Sequence, residues 1–478
     1  MAYNPRAADV AALAKGFEAV VCIQGLGFVG SAMAVAVAEA TNDEGQSRYL
    51  VVGVERDLPI GRLRAESMMR GDLPFASEDD RLTSGLRAAL NRGNLITTCD
   101  DGVYQYADVA IVDVNLDLDF DNSPVTADLM HFTRAVQTLA DVMPEGSLLL
   151  VETTVPPGTT TELVLPIVRE ALRRRGLDDH AIAVAHSYER VMPGLRHLES
   201  IVDYWRVYAG VDDRSSEMCR AFLETVINTD QFPLARLATP TASETAKVLE
   251  NSFRAVTIAL MDEWGRFGER LGIDMFEVID AIRMRPTHAN MREPGLGVGG
   301  YCLTKDPLFP QVSMNTFFRD QNVDFPMTDL ALVVNRQMPR TTMRVLEDVL
   351  EGELQGRKIL ILGASYRPDV GDTRHSPSET LAHLLVQLGA HVTVHDPLAT
   401  HWELPEADIV AELPEARHFD AVVLAVAHSA YVGLDLRIWL GDGRIWVVDA
   451  NHVLTGKQRA QINELPDVRL FSIGRGYE

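Results

Sequence analysis

The feature that most constrains the fold is a repeated alternation of short apolar runs with helical stretches in the first half of the chain. Residues 19–24 (AVVCIQ) lead directly into the glycine-rich segment 25–30 (GLGFVG) and then into an alanine-rich helical stretch. Comparable apolar runs follow at 49–57, 109–114, 147–151 and 181–185. Strands that are apolar on both faces are typical of a parallel sheet with helices on both sides. The first region therefore predicts a doubly wound α/β domain.

The second region is helical and contains one long amphipathic helix. From Thr241 the sequence runs without proline to Gly272, which is expected to end the helix, and Asp274 is expected to cap the next one. Apolar side chains recur at steps of three and four residues: Ala246, Leu249, Phe253, Val256, Leu260, Trp264 and Phe267. We expect this stripe to form the interface of a homodimer or a higher homo-oligomer, with at least a dimer in solution. A solvent-exposed strut is the alternative.

The third region restarts the pattern of the first. Residues 358–366 and 391–397 are strand-like and flank a helical segment at 376–389, and two more buried runs follow at 420–428 and 444–450. We therefore predict an α/β fold of two Rossmann-like doubly wound parallel-sheet domains, joined by a central helical domain with one long helix. The expected boundaries are 1–238 for the N-terminal domain, 239–345 for the central helical domain and 346–478 for the C-terminal domain.

The composition limits the partners that this chain can have. The formal net charge is -24 at pH 7, so we expect no binding to nucleic acid or to an anionic membrane surface. The four cysteines are scattered without a CxxC pair, which is typical of a reducing compartment. The N-terminal stretch lacks the pattern of a secretory signal, and no apolar run is long enough to cross a bilayer. We therefore expect a cytoplasmic protein.

The segment GLGFVG is a GxGxxG motif in the context that dinucleotide binding requires. It follows a strand-like run and opens a helix, where glycines allow a tight turn and a close approach of the backbone to a pyrophosphate. Glu55 ends the next strand-like run, where a carboxylate binds ribose hydroxyls and repels a 2′-phosphate, so NAD is favoured over NADP. Arg56 argues the other way, and a purely structural glycine turn is the alternative. The residues expected to bind the cofactor are Gly25, Gly27, Phe28, Val29, Gly30, Glu55, Arg56 and Thr154.

Two loops and one helix carry further residues suited to a ligand site. VETTVPPGTT (151–160) and YERVMPG (188–194) each follow a buried run, and they place Thr154 and Glu189 at strand ends. Simple turns are the alternative. Lys247 and Asn251 are four residues apart and share one face of the long helix, although such a pair is more often solvated surface. The apparent burial of the neighbouring Leu249 leaves the direction of Lys247 open.

Cys302 lies in the glycine-rich segment GVGGYCLTKDP (297–307). An isolated cysteine beside a turn is more often a small packing residue. On a loop that leaves room for a substrate, a cysteine can instead be a nucleophile. These residues alone leave both interpretations open.

Taken together, these motifs resemble the UDP-glucose/GDP-mannose dehydrogenase family, whose members oxidise nucleotide sugars to uronic acids. The resemblance covers roughly residues 19 to 455 and rests on seven segments in the family's order: GLGFVG, TTVPPGTT, the Glu189 loop, SETAKVLENSFR, GVGGYCLTKDP, LGASYRPDVGDTRHSP and VHDP. It implies an NAD-binding domain, a central helix that builds the dimer and a C-terminal domain that binds the nucleotide. NAD is the implied cofactor, with no metal, and a nucleotide sugar is the implied substrate.

The resemblance also implies a mechanism with roles for single residues. A base removes the proton of the sugar C6 hydroxyl while hydride leaves, the Cys302 thiolate adds to the aldehyde, and a second hydride transfer gives a thioester that water releases as carboxylate. The implied catalytic residues are Cys302, Lys247, Asn251, Asp306, Glu189 and Thr154. The implied substrate-binding residues are Glu189, Arg190, Val191, Lys247, Asn251, Arg285, Gly295, Gly299, Gly300 and Arg374.

The chain departs from the family pattern at four places. Tyr301 precedes the cysteine where serine or histidine is common, Tyr188 replaces a proline, and Arg367 replaces a lysine. DVNLDLDF (113–120) replaces a short glycine–threonine–proline segment near the nicotinamide. ERVMPG resembles the branch that acts on UDP-N-acetylhexosamines and LTKD resembles the UDP-glucose branch, so a UDP-linked sugar is favoured.

Two other functions remain open from the sequence. One is a two-electron NAD-dependent alcohol dehydrogenase of similar fold, in which Cys302 is structural. The other is a non-catalytic NAD-sensing protein, which is disfavoured because decayed enzymes tend to lose reactive groups and here all are present.

Overall fold

The computed structural model describes residues 5–120, 125–319, 323–402, 404, 406–407, 409–441 and 443–477. The chain divides into two compact units. Unit 1 consists of Met1–Leu249 and Leu308–Asp324, and unit 2 consists of Glu250–Pro307 and Phe325–Glu478.

Unit 1 contains a sheet formed by the apolar runs of the first region. The strands in chain order are β1 (Ala19–Gln24), β2 (Tyr49–Val54), β3 (Leu95–Thr98), β4 (Val109–Val112), the small hairpin of β5 (Leu118–Asp119) and β6 (Thr126–Ala127), β7 (Leu148–Val151), β8 (Ala183–His186), β9 (Val207–Gly210) and β10 (Ala235–Arg236). Their order across the main sheet is β10-β9-β8-β7-β4-β1-β2-β3, with β8 and β9 antiparallel and the other neighbours parallel. The order reverses between β1 and β4, which is where ligands of such sheets bind.

Unit 2 contains a second sheet with the same switch in strand order. Its strands are β11 (Lys358–Leu362), β12 (His391–His395), β13 (Ile409–Val410), β14 (Ala421–Leu424), β15 (Ile445–Asp449), β16 (Val468–Ser472) and β17 (Gly476–Tyr477). They lie in the order β13-β12-β11-β14-β15-β16-β17, and β17 pairs antiparallel with β16 while the other neighbours are parallel. Two doubly wound α/β sheets were predicted, and the structure confirms them.

The α-helices are α1 (Ala7–Leu13), α2 (Phe28–Glu39), α3 (Pro59–Met69), α4 (Asp80–Arg92), α5 (Met130–Val142), α6 (Leu165–Arg174), α7 (Glu199–Val202), α8 (Asp213–Val226), α9 (Pro240–Leu271), α10 (Met275–Arg283), α11 (Tyr301–Lys305), α12 (Phe309–Ser313), α13 (Pro326–Val349), α14 (Pro377–Gln387), α15 (Ser429–Val432), α16 (Leu436–Leu440) and α17 (Gly456–Asn463). Among the helices of the described residues, none combines the length and the hydropathy needed to cross a bilayer.

Helices cover both faces of each sheet because the strands are apolar on both faces. In β1, Val21 and Ile23 belong to one core cluster, and Val20 and Cys22 belong to another on the opposite face. Unit 2 has its own pair of core clusters on the two faces of its sheet. This double burial explains why the strands read as continuous apolar runs instead of alternating ones.

The long helix α9 ends as the sequence predicts, but the Leu249 side chain points to solvent and not into the core. Gly272 follows it with φ of +67°, and the Asp274 carboxylate accepts hydrogen bonds from the backbone N–H groups at the start of α10. The stripe pattern suggested that Leu249 is buried. The structure shows Leu249 exposed and Lys247 buried, because the apolar stripe faces outward at this turn of the helix.

Candidate active site

The turn after β1 has the geometry that a pyrophosphate requires. Gly25 has φ of +99°, and a Cβ atom there would lie 2.6 Å from the backbone oxygen of Asp113. A Cβ atom on Gly30 would lie 1.9 Å from the oxygen of Gly25, so the helix α2 packs directly on the turn. Gly27, which precedes α2, has no described atom within 4 Å of its Cβ position. The backbone therefore leaves open space at the start of α2, where a phosphate binds N–H groups.

Glu55 follows β2 and is tied to the same turn. Its Oε1 atom accepts a hydrogen bond from the backbone N–H of Leu26 at 2.9 Å and one from Arg64 at 3.2 Å. The carboxylate is buried, whereas the neighbouring Arg56 is exposed. Glu55 thus lies beside the glycine turn at the end of β2, and this arrangement fits NAD. Arg64 was not predicted, because its pairing with Glu55 arises only when α3 packs beside β2.

The loop after β8 forms a buried ion pair with α9. Lys247 and Glu189 are each only 8% exposed, and Lys247 Nζ donates to the backbone oxygen of Glu189 at 2.7 Å and to its Oε1 at 3.3 Å. The Glu189 carboxylate also accepts from the backbone N–H of Val191. Buried Tyr188 places its ring 5.5 Å from Lys247 Nζ and 5.2 Å from the Arg190 guanidinium. The tyrosine that replaces a family proline therefore contacts both cations of this loop.

Glu244 holds the loop that contains TTVPPGTT. Its carboxylate accepts hydrogen bonds from the backbone N–H of Gly158 at 2.6 Å and from the N–H and hydroxyl of Thr160 at 2.8 and 2.6 Å. Burial raises the pKa of Glu244 to about 7. Thr154, earlier in the same loop, is half-buried. Sequence reasoning assigned no role to Glu244, although it stands one helical turn before Lys247 on α9.

In unit 2, Cys302 lies near the start of α11 and is exposed, while Lys305 and Asp306, three and four residues later, are buried. Asp306 Oδ1 accepts from Lys305 Nζ at 3.0 Å, and Asp306 Oδ2 accepts from the Asn251 side-chain amide at 2.8 Å. The structure thus brings together two of the predicted catalytic residues, Asn251 and Asp306. Lys305 is an additional charged group at this place, and the LTKD segment contained it without an assigned role.

Tyr301 gives this segment an aromatic face. The ring lies 4.3 Å from Lys305 Nζ and 5.4 Å from the Arg374 guanidinium. Arg374 also forms a two-point ion pair with Asp372, at 3.0 and 2.6 Å, and its backbone oxygen accepts from the N–H of Gly300. Arg374 and the cysteine loop, which were predicted to bind the same substrate, are therefore directly connected.

The glycine loop before Cys302 leaves no room for side chains. A Cβ atom on Gly299 or Gly300 would lie 2.6 or 2.7 Å from Tyr366 atoms. A Cβ atom on Gly295 would lie 2.5 Å from the Asn451 side-chain oxygen. These glycines are needed for close packing, and their predicted contact with substrate stays a prediction.

Arg254 lies near two partly buried arginines of unit 2, Arg292 and Arg367, and its charge acts on the pKa of each. Burial and the nearby charge of Arg254 lower the pKa of Arg292 below its usual value, and burial also lowers the pKa of Arg367, on which Arg254 acts in the same sense. The Nε atom of Arg292 has no hydrogen-bond partner within the described ranges. Clustered, partly desolvated guanidinium groups favour an anion with several oxygens. Sequence reasoning missed this cluster because its members are far apart in the chain; Arg285, which it did select, is exposed.

The four cysteines have different environments. Cys22 and Cys219 are buried, and burial raises the pKa of both thiols, that of Cys219 to about 12. Burial and the nearby Asp57 raise the pKa of half-buried Cys99 to about 11. Cys302 is the exposed one of the four. Because a thiolate is the reactive form, the first three are poorly suited to be nucleophiles.

Two doubly wound sheets and a glycine turn that fits a pyrophosphate, with a buried carboxylate beside it, are typical of NAD-dependent dehydrogenases. Models of three domains match the chain: the NAD binding domain at residues 19–227, the central domain at 241–337 and the UDP binding domain at 360–455. The chain belongs to the UDP-glucose/GDP-mannose dehydrogenase family. It is an NAD-dependent nucleotide-sugar dehydrogenase, as the sequence predicted.

Similar proteins span nearly the whole chain. The UDP-N-acetyl-D-mannosamine dehydrogenase of Methanocaldococcus jannaschii is 28% identical over 87% of each chain. The solved structure of UDP-D-ManNAc dehydrogenase from Pyrococcus horikoshii is 26% identical with a TM-score of 0.78, and the match covers 96% of this chain and 99% of that one. A UDP-glucose dehydrogenase from Pyrobaculum islandicum is also 26% identical, with a TM-score of 0.79 over 96% and 98% of the two chains.

Proposed function

We propose that this chain oxidises the C6 hydroxyl of a UDP-linked N-acetylhexosamine to a carboxylate, using two NAD molecules per sugar. The observation that carries the proposal is the exposed Cys302 followed by the buried group of Asn251, Lys305 and Asp306. A reactive thiol beside fixed polar groups suits covalent capture of an aldehyde. The choice of sugar is supported by the relatives named as UDP-N-acetyl-D-mannosamine dehydrogenases and by the segment ERVMPG.

The arginine cluster supports a nucleotide diphosphate as the anionic part of the substrate. Arg254, Arg292 and Arg367 concentrate positive charge in a chain whose formal net charge is -24. A diphosphate supplies several oxygens that accept from guanidinium groups. Arg374 is an additional guanidinium, already oriented by Asp372.

In the first oxidation, a base takes the proton of the C6 hydroxyl. Lys247, Asp306 and an ordered water are the candidates, and Lys247 with Asn251 stabilises the oxyanion that develops. The ion pair with Glu189 fixes Lys247 in one position before substrate arrives. NAD, when bound, accepts the hydride in each of the two oxidations.

In the second oxidation, Cys302 holds the aldehyde. Its thiolate adds to the carbonyl carbon and the oxygen takes up a proton, which gives a thiohemiacetal. Loss of that proton and of a hydride from the same carbon gives a thioester. Water, guided by Glu189 and Thr154, then attacks the thioester and releases the carboxylate and the Cys302 thiolate.

The active form is a homodimer or a higher homo-oligomer built on the outward face of α9. Within unit 2, the helix exposes five large apolar side chains, between 46 and 57% accessible: Phe253, Leu260, Trp264, Phe267 and Leu271. An apolar stripe of this size is typical of an interface between chains. Light scattering at micromolar concentration should give the mass of at least a dimer, and Trp264→Asp should shift it toward the monomer. A monomeric mass for the unmodified protein contradicts this part of the proposal.

The test of the function is turnover with a panel of sugar nucleotides. The protein is incubated with NAD and, in separate reactions, UDP-N-acetyl-D-mannosamine, its C2 epimer UDP-N-acetyl-D-glucosamine, UDP-glucose and GDP-mannose, while NADH absorbance is followed. The kcat/KM value should be highest for one of the two N-acetylated substrates. Preference for UDP-glucose would overturn the choice of sugar, and no NADH with any of them would overturn the function.

A further inference from the structure

Two carboxyl groups lie side by side at the switch point of the unit 1 sheet. Val112 and Val151 are direct partners in the parallel pair of β4 and β7, and the next residue on each strand is acidic, Asp113 and Glu152. Asp113 Oδ2 and Glu152 Oε2 are inaccessible to solvent, and neither has a hydrogen-bond donor among the described residues. Two carboxylates cannot donate to each other, so only a proton held between them satisfies both oxygens.

The surrounding charges account for one proton. Arg206, 2% exposed, donates to Glu152 Oε1, and buried Lys247 pairs with Glu189. Burial and the neighbouring Lys247 lower the pKa of His186 to about 3, so its imidazole is neutral. Within the described residues, the two carboxyl groups of the pair share one directly bound cation, Arg206, and one proton completes the balance.

The proton belongs on the Asp113 side of the pair. Arg206 neutralises Glu152, whereas Asp113 has no direct cationic partner within the described part of the chain. Burial and the adjacent Glu152 raise the pKa of Asp113 well above its usual range. The nearby charge of Glu189 raises the pKa of both Asp113 and Glu152.

Asp113 also adjoins the cofactor turn. Its backbone oxygen is the atom that excludes a side chain at Gly25, and β1 and β4 flank the crevice where a dinucleotide crosses the sheet. The nicotinamide ring carries a positive charge when oxidised and none when reduced. A positive charge near the pair favours release of the shared proton, and loss of that charge favours its retention.

We propose that Asp113 and Glu152 share one proton that leaves when oxidised NAD binds and stays when NADH binds. The pair thereby sets the preference of this site for the oxidised cofactor. At pH values below the pKa of the pair in the free protein, the Kd of NAD should fall by up to about tenfold for each unit by which the pH rises. The Kd of NADH should not change with pH over the same range.

The test is calorimetric titration of the whole protein with NAD and with NADH, in two buffers that differ in ionisation enthalpy. For the unmodified protein, NAD should release close to one proton in neutral buffer and NADH close to none. Asp113→Asn keeps a hydrogen bond to Glu152 through its amide N–H but has no proton to lose, so NAD should release none and its affinity should not vary with pH. Asp117→Asn, at an exposed position of the same segment, should behave as the unmodified protein.

Infrared spectroscopy gives a second readout that needs no catalysis. The carbonyl band of a protonated carboxyl group should be present in the unmodified protein, disappear on addition of NAD and be missing in Asp113→Asn. If that variant does not fold, the change in the band of the unmodified protein decides. Release of no proton by the unmodified protein, or of the same number by Asp113→Asn, would overturn the proposal.

Discussion

Some of the charged groups singled out above are held differently in the two units. In unit 1, Glu189, Lys247 and Glu244 are buried and paired with one another or with backbone groups. In unit 2, Cys302 is exposed, and the charge of Arg254 lowers the pKa of both Arg292 and Arg367. The first arrangement is complete in the protein alone. An anionic ligand would add compensating charge to the second, which suits a part of the molecule that must bind and release a substrate.

The two sheets share one topology, but the turns that follow their first strands differ. After β1 the chain turns through glycines that leave space before α2, so backbone N–H groups can meet a phosphate. After β11 the turn is filled: Asp396 accepts from the N–H groups of Ala364 and Ser365 and contacts buried His428. That network fixes the start of the loop that carries Arg367. The turn after β1 thus leaves its backbone N–H groups open to a ligand, whereas the N–H groups of the turn after β11 are already bound by a side chain.

Loss of the exposed thiol should have the largest effect. In Cys302→Ala, formation of uronate should fall by on the order of 10³-fold or more, because no nucleophile captures the aldehyde. Any remaining turnover should yield close to one NADH and free aldehyde, detected by mass spectrometry. Cys99→Ala, at a half-buried cysteine of unit 1, is the matched control and should keep the unmodified products. Uronate formed at the unmodified rate by Cys302→Ala would mean that this cysteine is a packing residue.

Removing one member of the arginine cluster should weaken substrate binding without changing the chemistry. Arg292→Ala should raise the KM for the sugar nucleotide by about tenfold to a hundredfold, as expected for one charge-assisted contact, with kcat nearly unchanged. Arg437→Ala removes a surface arginine of the same unit that pairs with Glu464, and serves as the control. Equal KM values for the two variants would show that the cluster is not the anion site.

Loss of the Glu55 carboxylate, which we predict to bind the ribose of NAD, should affect the use of the cofactor and not the binding of the sugar nucleotide. The unmodified protein should turn over far faster with NAD than with NADP, because Glu55 repels a 2′-phosphate. Glu55→Ala should lower the ratio of kcat/KM with NAD to kcat/KM with NADP by about tenfold. The KM for the sugar nucleotide should stay within error of the unmodified value. Equal efficiency with both cofactors in the unmodified protein would point to Arg56 or Arg64 instead.

The smallest expected effect concerns Tyr188, whose ring contacts Lys247 and Arg190. Tyr188→Phe keeps the ring and loses only the hydroxyl that accepts from Arg190, so kcat should change by less than about threefold. Tyr188→Leu removes the aromatic face and should lower kcat by about tenfold. The measurement is steady-state NADH formation with saturating NAD. Identical kcat values for the two variants would show that the ring does not help to position Lys247.

The sequence was most informative for features that are determined by residues close together in the chain. The apolar runs, the glycine turn after β1, the end of α9 at Gly272 and the cap Asp274 are all set by neighbours in the chain, and the structure has each of them. The arginine cluster, the contacts of Tyr188 and the pairing of Glu152 with Arg206 depend on residues far apart in sequence. Periodicity also misled at Leu249, because an outward apolar stripe follows the same spacing as an inward one.

The central claim is that one site carries out two oxidations on the same carbon through Cys302. Its most direct test is the ratio of NADH formed to uronate released by the unmodified protein, measured in one reaction with the preferred UDP-sugar. We expect two NADH for every uronate, with no free aldehyde at any time. A ratio of one, with aldehyde as the final product, would contradict it and identify a two-electron alcohol dehydrogenase.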